Sequence, residues 1–398
     1  MATLGNSSIS SVSSLSNSAA AAATTGFSDL LRQVKNMDQN FAYYMIISFT
    51  LILLIVMIYY TIYLTKLDKS NIKYMNDLYP SIDGVIRPIS SSMPDFSGNL
   101  YDYYIKTAYN ACSGGSYKND FVSTDVLKAV IKQGVRCLDF EVYSVDDKPV
   151  IATSTQDSFY IKETFNTVGF ANVMKTINTY AFSSGSCSNH TDPIIIHLRI
   201  KSTNQKIFSS MASIFKSYDS VMLGKDFSYE NNGTNLGALP LLKFQNKMIL
   251  IVEKNSNNNN AFLENKEFME YVNLTSNSVF MRTYNYYDVK NNHDTDELTT
   301  YNTTGMTIVF PDKGINPANP SGMLCRTYGC QMVAMRYQYV DNFLEENALF
   351  FDKAGFAFAL KPQELRNIPI IIPDPIPQNP NYSYATRNVS TDYYSFNM

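Results

Sequence analysis

Two hydrophobic patterns divide the chain. From Phe41 to Thr65 there is no charged residue, and Met45 to Ile58 is almost wholly apolar. About 20 such residues cross a bilayer, so this stretch predicts one transmembrane helix with room for tilt. Tyr43 and Tyr44 flank one edge and Tyr59, Tyr60 and Tyr63 the other, as an interfacial aromatic belt would. A cleaved signal peptide fits poorly, because the apolar run is too long and begins too late. Arg32 and Lys35 precede the run, and Lys66, Lys69 and Lys73 follow it. The positive-inside rule therefore leans only slightly toward a cytosolic C-terminal side.

Beyond the span the rhythm changes. From Gly134 to Tyr143, Leu138, Phe140 and Val142 share one face of a period-two strand, while Cys137, Asp139, Glu141 and Tyr143 share the other. Two carboxylates on one face of a short apolar strand need a cation, a hydrogen-bond donor or a substrate. The plainer alternative is a strand end whose acids sit in solvent or pair with a nearby Lys or Arg. Ser123 to Gln133 has helical spacing and stops at Gly134, a helix terminator. Strand patterns follow at 149–152, 193–200, 247–252, 307–310, 330–338 and 355–362, with helical patterns at 165–182 and 205–218.

Alternating helices and short apolar strands argue for an α/β fold with a parallel sheet. About 270 residues suit a (β/α)8 TIM-type barrel, with a doubly wound open sheet as the alternative. The missing glycine-rich phosphate loop counts against the nucleotide-binding version of that sheet. The reading by segments is a disordered Ser/Ala/Thr-rich region over 1–40, with a short amphipathic helix from Phe27 to Gln39, then the span over 41–65. A polar connector over 66–95 leads to a first barrel half over 96–254. An Asn-rich linker over 255–304, with a helix around Ala261 to Tyr271, joins it to a second half over 305–370, and a Pro-rich extended tail fills 371–398.

A formal charge of −3 gives no sign of a basic nucleic-acid-binding surface, and no nucleic-acid partner is expected. Sequons begin at Asn6, Asn189, Asn232, Asn273, Asn302, Asn381 and Asn388, about as many as an Asn- and Ser/Thr-rich chain produces by chance. The five cysteines lack zinc-ligand spacing and are expected to be reduced thiols. The abundance of Asn, Tyr and Phe fits a low-GC genome. A large DNA virus, with the protein in a host or virion membrane, is one such source.

The order of these stretches resembles the catalytic barrel of eukaryotic phosphoinositide-specific phospholipase C. Thr107 to Cys112 stands where that family has a Ser-Ser-His-Asn-Thr-Tyr type motif. Gly134 to Glu141 is similar to its Gly-Cys-Arg-Cys-Val-Glu-Leu-Asp type strand, and Pro149 to Ser154 to its Pro-Val-Ile-Tyr-His-Gly. Ile196 to Ile200 resembles its Leu-Ser-Leu-Glu-Asn strand, and Phe310 to Gly314 its Tyr-Pro-Lys-Gly turn. Gly329 to Gln338 and Ala354 to Arg366 resemble its Gly-Cys-Gln-Met-Val-Ala-Leu-Asn-Phe-Gln and Cys-Gly-Tyr-Val-Leu-Lys-Pro endings. These motifs in order, over roughly residues 96 to 370, imply the family's X and Y halves.

The resemblance also marks departures. In the family two histidines move protons and calcium activates the inositol hydroxyl; their positions fall here on Tyr109 and Thr153. Neither residue titrates usefully near neutral pH. Asn110, Asp139 and Glu141 match three calcium ligands, but the fourth position is Arg199, whose guanidinium repels Ca²⁺. The implied cofactor is therefore none, with the calcium site degenerate. Where the family has lysines for inositol phosphates, this chain has Ile251 and Glu253, with Lys254 remaining. Two readings of Arg199 stay open. One is a metal-free anion site lined by Asn110, His197 and Arg199; the other is a buried ion pair of Arg199 with Asp139 and Glu141. The expectation is a single-pass membrane protein with a catalytically inactive barrel that binds a phosphoinositide headgroup or a protein partner. An active phosphodiesterase with altered groups and a structural virion membrane protein are the alternatives.

Overall fold

The computed structural model describes residues 39–156, 161–228, 233–255, 260–367, 374–377 and 384–398, together with Ser28, Arg32, Asn379 and Tyr382. The Ser/Ala/Thr-rich start and almost all of the amphipathic helix expected from Phe27 lie outside the described residues. So do the sequons at Asn6, Asn232 and Asn381 and part of the Pro-rich tail.

The first element is one helix, Gln39–Leu78, that includes the whole apolar run. Its stretch from Asn40 is long and apolar enough to cross a membrane, and the apolar window is not buried by the other described residues. The strands follow in chain order: β1 (Tyr103–Ala108), β2 (Cys137–Val145), β3 (Lys148–Ala152), β4 (Val168–Gly169), β5 (Ile194–Ile200) and β6 (Met248–Glu253). Then come β7 (Leu274–Ser276), β8 (Met281–Asn285), β9 (Met306–Phe310), β10 (Met332–Met335) and β11 (Phe358–Leu360). Eight of them form a parallel path in the order β7-β6-β5-β2-β1-β10-β9-β8. This is a nearly closed barrel, open where no ladder joins β7 to β8. β3 is antiparallel to β2, and β11 is antiparallel to the start of β1.

Alternation along each strand sorts the side chains. Leu138, Phe140 and Val142 of β2, with Ile194, Ile196 and Leu198 of β5, belong to the core between the strands and the outer helices. Cys137, Ile195, Ile249, Ile251, Ile308 and Met332 join an inner cluster. The helix Thr124–Lys132 matches its pattern closely. Ser123 caps it by accepting from the Asp125 amide, and Gly134 closes it with a left-handed φ of 71°. The helix expected from Phe165 instead begins at Phe170, because Val168 and Gly169 pair with Ile151 and Val150 of β3.

One expectation is corrected. The stretch 255–304, read as an inserted linker, contains β7, β8 and the helix Thr295–Thr304, so it supplies two of the eight barrel strands. Both strands border the open seam. β7 is only three residues long, and β8 is half-buried after its first residue. Neither therefore shows the apolar run of a strand buried on both faces. In the C-terminal tail, Asn388–Ser390 and Ser395–Asn397 form a small antiparallel pair.

Candidate functional site

The carboxylates of β2 face into the barrel, near the C-terminal ends of the strands. The β2–β5 register sets Asp139 beside His197 and Glu141 beside Arg199. All four are essentially buried, and Asn110 joins them from the turn after β1. Asn110 adopts a left-handed φ of 44°, which Asn tolerates better than most residues. That turn aims its amide N–H at Asp139 Oδ2 (3.2 Å).

Arg199 occupies the centre. Its Nε donates to Asp139 Oδ1 at 3.0 Å and its Nη2 to Asp139 Oδ2 at 2.7 Å, the bidentate geometry that suits a guanidinium. Nη1 donates to Glu141 Oε1 at 2.7 Å, and Nη2 also reaches Asn110 Oδ1 at 3.0 Å. The other oxygen of Glu141 accepts from Tyr143 Oη (2.7 Å) and from the amide of Ser154 (2.9 Å). Aromatic rings complete the enclosure, with the guanidinium carbon 4.6 Å from the Tyr109 ring centre and 5.0 Å from that of Phe310. Burial alone would raise the Asp139 carboxyl. Arg199 and the His197 hydrogen bond outweigh it and hold that carboxyl below the usual range. Burial likewise opposes the charge on Arg199, but Asp139, Tyr109 and Glu141 overcome it and raise its pKa.

The remaining candidates divide. His197 is held at both ring nitrogens, Nδ1 2.9 Å from Asp139 Oδ1 and Nε2 3.0 Å from Ser276 Oγ. Tyr109 lies over Arg199, and its hydroxyl accepts from Lys313 Nζ at 3.0 Å. Thr153 is not drawn into this cluster; its hydroxyl donates to the carbonyl of Tyr117 at 3.0 Å. Ile251 is inside the barrel wall and Glu253 ends β6. Sequence reasoning missed Ser276, Ser154, Lys313 and Phe310 as partners. Lys313 and Phe310 lay within a quoted turn motif, whereas Ser276 was hidden in the stretch taken as linker.

This donor set does not fit calcium. Ca²⁺ takes six to eight oxygen ligands, and here the oxygens of Asp139, Glu141 and Asn110 are already directed at a cation that belongs to the chain. Among the described residues no group of three or more His, Cys, Asp or Glu side chains is arranged to hold a metal. A cavity of about 670 Å³ lies elsewhere, lined by Tyr104, Arg326, Phe350 and Lys361.

An eight-stranded parallel barrel with paired acids at its strand ends defines a TIM-type protein, and the comparisons give the family. The profile of phosphatidylinositol-specific phospholipase C, X domain, matches residues 96–255, and that of its Y domain matches 246–364. The chain belongs to the phosphatidylinositol-specific phospholipase C family. Among solved structures it is similar to PLC21 of L. pealei and PLC21 of S. officinalis, with TM-scores of 0.53 and 0.54 and 18% identity to each. The likeness covers 68% of this chain but 38% of each of those chains, and it concerns the fold. A search of curated protein sequences finds no match.

Proposed function

We propose that this protein is a membrane-anchored phospholipase C-like barrel that does not turn over phosphoinositides and serves as a binding or scaffolding unit at a membrane. The anchor is the Gln39–Leu78 helix, whose apolar part is covered by none of the described residues. The observation that carries the reading of inactivity is the Arg199 guanidinium held by Asp139, Glu141 and Asn110. In this reading it replaces the metal with a charge that cannot exchange. Tyr109 and Thr153 supply no imidazole, and both nitrogens of His197 are engaged. The ion-pair reading of Arg199 is thereby favoured over the anion site, since its fork is directed at carboxylates.

A second reading has one observation in its favour. The Tyr109 hydroxyl lies against Lys313 and its ring against Arg199, so one hydroxyl and two cations share the same side of the site. One experiment addresses both readings. Full-length protein in phosphatidylinositol-containing vesicles, with and without Ca²⁺, is expected to release no inositol phosphate above the vesicle blank. Ca²⁺ is expected to leave its melting temperature unchanged. Hydrolysis that disappears in Tyr109→Phe would establish the second reading and sink the first.

A further inference from the structure

The helix carrying the apolar run does not stop where the run stops. It continues unbroken to Leu78, so its last turns are part of the folded domain. Leu64, Leu67, Asn71, Met75 and Leu78, at three- and four-residue spacing, are shielded there, while Lys66, Lys69, Lys73 and Asp77 are exposed. The contacts also fix a direction. Asn71 Nδ2 donates to Asp120 Oδ1 at 2.6 Å, and a Cβ on Gly114 would come within 3.3 Å of Asn71 Cβ. Gly114 and Asp120 lie in the loop between the C-terminal end of β1 and the helix Thr124–Lys132. Further along the chain, the Asp83 amide donates to the Lys132 carbonyl at 2.9 Å, at the opposite end of that helix. The membrane helix thus descends the flank of the barrel beside Thr124–Lys132 and in the same direction. Its apolar part projects from the end of the barrel where the strands have their C termini.

We propose that the span seats the barrel with that end, which holds the Arg199 cluster, against the bilayer surface. The proposal rests on the anchoring proposed above and adds which face meets the lipid and how closely. From Thr65, the last residue of the uncharged run, to Asn71 is about 9 Å of helix. That is roughly the thickness of one headgroup layer, so the Gly114–Asp120 loop lies at the interface. The same end presents large apolar side chains on separate loops. Ile161 is 78% exposed, in a segment tied to the β1 loop by Asn119 N–H bonding the Glu163 carbonyl; Ile315, after β9, is 52% exposed, and Tyr287 and Val340 follow β8 and β10. The opposite end is covered by the connector, where Ile89 N–H bonds Asp192 and Arg87 bridges to Phe356.

All five native cysteines are buried, so an introduced cysteine can be labelled selectively. Full-length Ile161→Cys, Ile315→Cys, Ser92→Cys and Val279→Cys proteins would carry a bimane label. They would be reconstituted in phosphatidylcholine vesicles containing a phosphatidylcholine with a shallow nitroxide, after flotation in alkaline carbonate. Labels at 161 and 315 should be quenched about two-fold or more over those at 92 and 279; Ser92 is in the connector, and Val279 lies at the start of β8 and β9, where Met306 N–H bonds the Phe280 carbonyl. Equal quenching at the four positions, or stronger quenching at 92 and 279, would overturn the orientation while leaving the anchor intact. Failure to float with the vesicles would overturn the anchor, and the orientation with it.

Discussion

Arg136 and Arg199 are fully buried at opposite ends of the barrel, and they are held in opposite ways. Arg136, just before β2, donates to the carbonyls of Ala181 and Asn189, to Asn189 Oδ1 and to Cys187 Sγ. Its acceptors are neutral and tie three chain segments together. Arg199, near the end of β5, is held by two carboxylates that would otherwise be buried without a counter-charge. One residue type thus serves as a packing staple at one end and as a neutraliser of a carboxylate pair at the other. A buried ion pair adds little net stability over a well-packed apolar replacement, but removing one partner is costly.

The largest expected effect follows from that asymmetry. Arg199→Met leaves Asp139 and Glu141 buried and uncompensated, with an expected loss of about 3–5 kcal/mol in chemical denaturation. The pH dependence should also change sign. In the native protein the Asp139 pKa is held below its unfolded value, so its contribution is full above the unfolded pKa and is lost as pH falls through the folded one. In the variant, burial without the cation raises the carboxylate pKa values above their unfolded values. Stability should then be greatest in acid and fall as pH rises. An Arg199→Met protein with the native pH profile would show that the guanidinium does not neutralise the pair.

Arg136→Met should cost less, about 1–3 kcal/mol, because its hydrogen-bond acceptors are neutral and the nearby acid, Asp192, is already raised to about 6 by burial despite the pull of Arg136. Its pH profile should keep the native direction. A loss matching that of Arg199→Met, with the same reversal, would erase the distinction between the two ends. Asn189, one of the partners of Arg136, is also a sequon residue with no exposed surface. Its amide nitrogen donates to the Gly134 carbonyl and to Asp192, so packing accounts for it without a glycan.

The legibility of the two ends in the sequence differed for the same physical reason. The Asp139/Glu141 face stood out because period-two alternation put two charges among apolar neighbours. The matching alternation on β5 placed His197 and Arg199 beside them once the strands paired in parallel register. The role of Arg136 was invisible, since acceptors from the backbone of Ala181 and Asn189 leave no residue signature. The seam strands escaped notice because β7 is only three residues long and half-buried, largely polar β8 has little reason to be apolar. Thr153 illustrates the limit of motif matching. It occupies the expected position after β3, yet its hydroxyl turns to the Tyr117 carbonyl, a contact set by the loop rather than by the motif.

Lys361 sharpens the comparison from a third side, as a buried cation whose hydrogen bond goes to a neutral acceptor. Its Nζ donates to the Asn302 carbonyl at 2.8 Å, and burial lowers its pKa to about 7 against the weaker pull of Cys330 and Asp102. An unfolded lysine titrates near 10.4, so between these limits the unfolded chain binds more protons than the folded one. Stability should therefore rise from about pH 7 toward pH 10, by up to about 1.4 kcal/mol per pH unit for one such group. Lys106, also lowered by burial although Asp83 lies 3.2 Å away, contributes in the same direction. Lys361→Met should remove part of that slope while changing stability at pH 7 by only about 1 kcal/mol. An unchanged slope in denaturation curves from pH 7 to 9.5 would mean that Lys361 stays charged in the fold. It would then belong with Arg199, as a cation its surroundings hold charged.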